Sequence, residues 1–167
     1  MTRPCLAVAL TGVFSAMALF AASKTVELKN AQGQSVGTAT ISEAKGGKGV
    51  TIKLDAKNLP PGDHAFHIHQ TAKCEAPGFT TAGGHFNPDS AHHGINNTET
   101  PHPHAGDMNN FTVKPNGTAK VTFTDSYVNM GSDTHSIFSN GGTALVIHAK
   151  ADDLKSDPSG NAGDRIA

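Results

Sequence analysis

Residues 64–74, HAFHIHQTAKC, hold three histidines and Cys74, the only cysteine beyond Cys5. In a strand, successive side chains point to opposite faces, so His67 and His69 share one face and Phe66 and Ile68 the other. Either that histidine face is wet, or its two rings converge on something. The chain has ten histidines, and eight of them (64, 67, 69, 85, 92, 93, 102 and 104) fall within 41 residues. Imidazole suits copper and zinc, and a carboxylate can complete a zinc set. The candidate ligands are His67, His69, His85 in GGHFNP, His93 in HHG, His104 and Asp107 in HAGD, and His148 at the end of ALVIH. Singly, each reads as an exposed polar residue, and a pair of histidines two apart is a weak signal. Together they put ligand types on both an irregular segment and the strand ends around it.

Those side chains need a frame. Residues 25–29 (TVELK) and 35–42 (SVGTATIS) alternate in polarity around the turn-like NAQGQ, which predicts a hairpin. Residues 50–54, 65–69, 110–113, 119–124 and 144–147 read as further strands, with NLPPGD (58–63) and PNG (115–117) as turns. No helical period of useful length is present. Seven short strands with regular turns predict an all-β sandwich or barrel. Residues 71–110 show no periodicity of either kind. So long an irregular segment in a compact domain needs an external reason to be ordered, and bound metal supplies one. Residues 149–164 form a second irregular segment.

The composition agrees. Eighteen Gly, nine Pro, no Trp and one Tyr suit a turn-rich fold, and 167 residues suit one domain. A formal net charge of −1 gives no bias toward nucleic acid or anionic lipid. Residues 1–22 stand apart: Arg3 is followed by a long uncharged, mostly apolar or small stretch containing Ala16-Met17-Ala18. This predicts a secretory signal peptide, with the folded domain at 23–167, no stable membrane span after cleavage, and a secreted, periplasmic or cell-surface destination. Export leads to an oxidising compartment, where a solitary Cys74 is unusual.

HAFHIH, CEAP, AGGHFNP, HHG, HAGD, LVIHAKADD and GNAGDRIA, in that order and approximate spacing, resemble the copper/zinc superoxide dismutase family from about Thr25 to Ala167. The resemblance implies an eight-stranded Greek-key β-barrel with two long loops. It implies a copper site of His67, His69, His85 and His148, and a zinc site of His85, His93, His104 and Asp107. His85 would bridge the two metals and, when copper is reduced, carry a proton for the peroxide product. Asp152 would link a copper-site and a zinc-site histidine, and Arg165 would attract and orient superoxide. His64, His92, His102 and His135 match no ligand of the family and are expected to be solvated. Asp153 is expected to be a surface charge.

Three departures from the pattern accompany it. The family's cysteine partner for Cys74 would follow Ala167, and a final strand after it, so the barrel is expected to lack that strand and Cys74 to be a free thiol. The segment after His148 is short and poor in lysine, which implies a weaker steering field. The connection between Cys74 and Gly84 resembles secreted bacterial members. The activity implied is dismutation of superoxide; the alternative is a non-enzymatic copper/zinc-binding protein on the same scaffold.

Overall fold

The computed structural model describes residues 23–167; the expected signal peptide, 1–22, lies outside the described residues. Eight strands follow in order: β1 (Ser23–Lys29), β2 (Ser35–Glu43), β3 (Val50–Ala56), β4 (Gly62–His64), β5 (Phe66–His69), β6 (Phe111–Val113), β7 (Ala119–Asp125) and β8 (Ala144–Ile147). Among the described residues there is no α-helix. Every pairing is antiparallel: β1-β2-β3-β7 form one sheet, β4 pairs with β6, and β5 with β8. The chain leaves β3, crosses through β4, β5 and β6, and returns as β7 beside β3. This is the all-β Greek-key sandwich that the strand pattern and the resemblance predict.

The strand expected over 65–69 differs in one respect. Its backbone is already extended at Gly62, inside the segment read as a turn, and it divides at Ala65. His64 pairs with Phe111, whereas Phe66 pairs with Ile147. Ala65 itself accepts from the His148 N–H at 3.0 Å and donates to the Lys150 carbonyl at 2.9 Å. The change of partners at Ala65 sets a separate short strand, β4, before the predicted one.

Alternation along β3 and β7 aims Ile52, Leu54 and Phe123 inward, where they meet Phe66, Phe111 and Ile147. The Phe66 ring lies 5.2 Å from Phe123 and 6.2 Å from Phe111, distances suited to tilted and edge-on aromatic contact. Strand β5 is therefore clamped on its Phe66/Ile68 side, which fixes where His67 and His69 project.

One polar group sits in this frame without full satisfaction. Asp125, at the end of β7, is 4% exposed. Its Oδ1 accepts from the Tyr127 N–H at 2.8 Å, and its Oδ2 has no hydrogen-bond partner among the described residues. Burial pushes the pKa of this carboxyl up to about 7; the Tyr127 N–H opposes the shift and the charge of Asp107 adds to it. Over that range the folded chain holds a proton that the unfolded chain releases. Stability contributed by this group falls as pH rises from about 4 to about 7, and stays reduced above that. Asp125→Asn has no proton to lose. Its stability relative to the parent should rise by roughly 2–4 kcal/mol between about pH 4 and about pH 8, since each tenfold difference in proton affinity is worth about 1.4 kcal/mol. Denaturant melts at both pH values check this; a pH-independent difference would rule out a buried, proton-holding Asp125.

Candidate metal centre

All four residues of β5 are buried, with His67 and His69 at 0% and 1% exposure. The histidine face of the strand is dry, and the rings do converge. The irregular segment after β5 returns to lie along it twice. Phe86 N–H donates to the Ile68 carbonyl at 2.8 Å, and Ile68 N–H donates to the Gly106 carbonyl at 2.9 Å. Gly106 N–H then closes onto the Phe86 carbonyl at 2.9 Å. These contacts set His85 and Asp107 beside His67 and His69. A side chain on Gly106 would collide with the Ile68 carbonyl, so glycine is required where the loop touches the strand. His148 arrives from the end of β8, where its backbone pairs with Ala65 and with Arg165.

Two donor sets result. His67, His69, His85 and His148 form one, and His85, His93, His104 and Asp107 the other. Within each set the donor atoms all lie within 4.8 Å of one another, and every residue is buried. His85 belongs to both.

The hydrogen bonds settle which ring atoms face inward. His67 Nε2 meets Asp152 Oδ2 at 2.7 Å, His69 Nδ1 meets the Gly83 carbonyl at 3.0 Å, and His148 Nδ1 meets the Gly163 carbonyl at 3.3 Å. With those nitrogens donating, His67 Nδ1, His69 Nε2 and His148 Nε2 keep their lone pairs for the first set. His67 Nδ1 and His85 Nε2 have no partner among the described residues, and neither has His104 Nδ1 in the second set. His69 Nε2 and His148 Nε2 lie 3.3 Å apart. Buried nitrogens left unpaired, or aimed at one another, are costly unless a cation takes their lone pairs. In the second set, Asp107 Oδ1 lies 2.8 Å from His85 Nδ1, 3.0 Å from His93 Nδ1 and 3.5 Å from His104 Nδ1. Three imidazoles around one carboxylate oxygen is a zinc-like donor set.

Charge follows the same division. Burial, then the neighbouring histidines, pushes the pKa of His69 down to about 2 and that of His148 to about 3. His85 falls to about 4, chiefly through burial. These rings are neutral donors at physiological pH. Burial also depresses His93, but Asp107 and Asp152 overcome it and lift the ring to about 9. Burial would raise Asp107, yet the nearby His104 ring and bonds from His85, His93 and the Gly94 N–H hold it well below the carboxylate range. The second set therefore holds an ionised Asp107 against a protonated His93, and a divalent cation binding there would displace that ring proton.

Behind the donors stands Asp152. Its Oδ2 meets His67 and its Oδ1 meets His93 Nε2 at 3.0 Å, so one carboxylate orients a ring in each set. Asn110 fixes Asp152 reciprocally: its Oδ1 accepts the Asp152 N–H and its Nδ2 donates to the Asp152 carbonyl, both at 2.8 Å. Gly160 has φ +63°, and a side chain there would overlap the Asp152 carboxylate and crowd His93. Arg165 donates to the Phe79 and Gly83 carbonyls at 2.8 and 2.6 Å. The Gly83 carbonyl thus holds both Arg165 and His69.

The profile of the family described as copper/zinc superoxide dismutase (SODC) matches residues 35–167. The chain belongs to the copper/zinc superoxide dismutase family. It is 48% identical over 143 residues to superoxide dismutase [Cu-Zn] 2 of Aquifex aeolicus, covering 84% of this chain and 81% of that one. Among solved structures it is similar to a SOD-like protein from Bacillus subtilis, with TM-score 0.79, 37% identity, and 85% and 93% of the two chains covered. It also resembles the Cu/Zn superoxide dismutase from Brucella abortus, with TM-score 0.67, 28% identity, and 87% and 96% covered. Copper and zinc are the cofactors of this family, and both donor sets fit them.

All seven predicted ligand residues gather in these two clusters, with Asp152 and Arg165 beside them. His64 does not behave as expected. It is 2% exposed rather than solvated, with Nδ1 2.7 Å from the His148 carbonyl and Nε2 2.8 Å from the Pro60 carbonyl. The division of the strand at Ala65 turns His64 inward, where it braces His148. His102 and His135 are partly exposed, His92 is exposed, and Asp153 is exposed as expected. Asp153 nonetheless receives the N–H groups of Lys155 and Ser156 and so shapes its loop. Cys74 is exposed and has no disulfide partner among the described residues.

Proposed function

We propose that the chain converts two superoxide ions and two protons into oxygen and hydrogen peroxide, with copper held by His67, His69, His85 and His148 and zinc by His85, His93, His104 and Asp107. One observation carries this reading: His85 contributes its two ring nitrogens to two different buried donor sets. A storage site has no need of a shared imidazole, whereas a proton-coupled redox site does. Copper, when bound, supplies reversible one-electron exchange, which zinc cannot. The remaining work falls to the chain. His85 Nε2 is the atom that takes up and releases the proton destined for peroxide, while Nδ1 stays turned to Asp107. Asp152 keeps His67 and His93 in the tautomers that leave their Nδ1 lone pairs free. Arg165, pinned by two carbonyls, offers its remaining N–H groups to the incoming anion.

Residues 1–22 act as a signal peptide and send the domain at 23–167 to the periplasm, the cell surface or the medium. Bacterial relatives support that destination, and no helix among the described residues is long and apolar enough to cross a membrane.

The test compares superoxide consumption by one purified sample loaded with both metals and with zinc alone. Consumption only with copper present supports dismutation. Equal, background-level rates would leave a metal-binding protein. Arg165→Glu refines the test. Electrostatic focusing raises on-rates by about 10–10³, so charge reversal should lower the rate at least about 10-fold. The parent rate should fall as salt rises, because a charge is screened over about 8 Å at physiological ionic strength. Equal, salt-independent rates in both proteins would remove Arg165 from the role.

A further inference from the structure

Three side chains outside the two inner clusters meet on the surface. His135 Nε2 lies 2.8 Å from Asp89 Oδ2, and His102 Nε2 lies 3.6 Å from the same oxygen. Asp89 and His102 belong to the long segment after β5, and His135 to the segment between β7 and β8. They line one hollow together with Tyr127, Val128 and Asn129. The His102 ring is held in place: it stacks on Tyr127 at 5.2 Å, and its Nδ1 donates to the Pro103 carbonyl at 2.8 Å. Its Nε2 faces the Asp89 carboxylate oxygen. Two imidazole nitrogens thus meet at one carboxylate oxygen, a donor arrangement that a divalent metal can use.

We propose that Asp89, His102 and His135 form a third, solvent-facing site for a divalent transition metal, with zinc as its simplest occupant. Two imidazoles and a carboxylate are the donor set of many open zinc sites, with water filling the remaining position. All three side chains are partly exposed, at 28%, 37% and 35% for His102, Asp89 and His135. Asp89 and His135 can rotate to bring their donors to an ion held at His102 Nε2. The set lacks the tight convergence of the inner clusters, so it binds more weakly and exchanges with solvent. An ion there would tie the loop of residues 126–143 to the loop that carries His93 and His104.

The site is independent of the superoxide reading, and so is its test. Protein with both inner sites filled is dialysed against micromolar free zinc, and metal is counted per chain. The parent should hold one equivalent beyond the inner two; His135→Ala and Asp89→Asn should each lose it, with the inner two and superoxide consumption unchanged. A parent that holds only the inner two refutes the proposal, since hydrogen bonds alone would then join the three side chains. An extra equivalent that survives in both variants also refutes it, because the metal would lie elsewhere.

Discussion

His148→Ala abolishes superoxide consumption while zinc stays bound. The imidazole contributes only to the His67/His69/His85 set, and the zinc set keeps all four of its members. The backbone bond from His148 N–H to Ala65 survives the substitution, so β8 keeps its place beside β5. The rate should fall at least about 100-fold, beyond the roughly 10–100-fold typical when a residue behind the ligands is removed. Metal analysis on the same sample should show copper reduced and zinc retained. Near-normal consumption would overturn the assignment of His148, and loss of both metals would show that the two sets do not divide as described.

Asp107→Ala has a wider structural effect. The carboxylate does more than face the imidazoles: its Oδ2 also accepts the backbone N–H of Gly94 at 2.8 Å and of His104 at 3.2 Å. Removing it takes away a proposed zinc ligand and the knot that gathers residues 94 and 104 against His85. The segment over 71–110 has one short 3₁₀ turn, Thr80–Ala82, and no strand. Little else keeps it closed, and structural metal ordinarily supplies folding free energy to such a segment. Zinc should be lost, and amides between residues 85 and 107 should exchange at least about 10-fold faster, with β2, β3 and β7 nearly unchanged. Asp107→Asn should restore part of the loop protection, through its carbonyl oxygen, without restoring zinc. Faster exchange across the strands with the loop unaltered would contradict this account.

These residues also show what could be read from sequence. Which residues would gather was legible because the family's motifs place each donor next to fixed neighbours, as in HAGD and LVIHAKADD. The hairpins and the all-β class were legible because β2, β3 and β7 alternate cleanly over one buried face. His64 was not legible. Its environment depends on Ala65 exchanging one partner strand for another, and that pairing is set by β6 and β8, far away in sequence. The part played by Gly160 was hidden for the same reason. Only the folded loop brings Asp152 and His93 against it, and no local pattern marks a glycine that must leave room for a carboxylate. The double duty of Asp107 Oδ2 is likewise a property of loop closure. Asp125 reads locally as a strand-ending polar residue, and its burial comes from what packs over it.

The central claim is that His85 joins a copper and a zinc. The most direct measurement is anomalous diffraction from crystals of the doubly loaded protein, recorded at both metal absorption edges. The account predicts a copper peak among His67, His69, His85 and His148, a zinc peak among His85, His93, His104 and Asp107, and the His85 ring between them. A single metal peak, or two peaks with the His85 ring turned away from one of them, would contradict it.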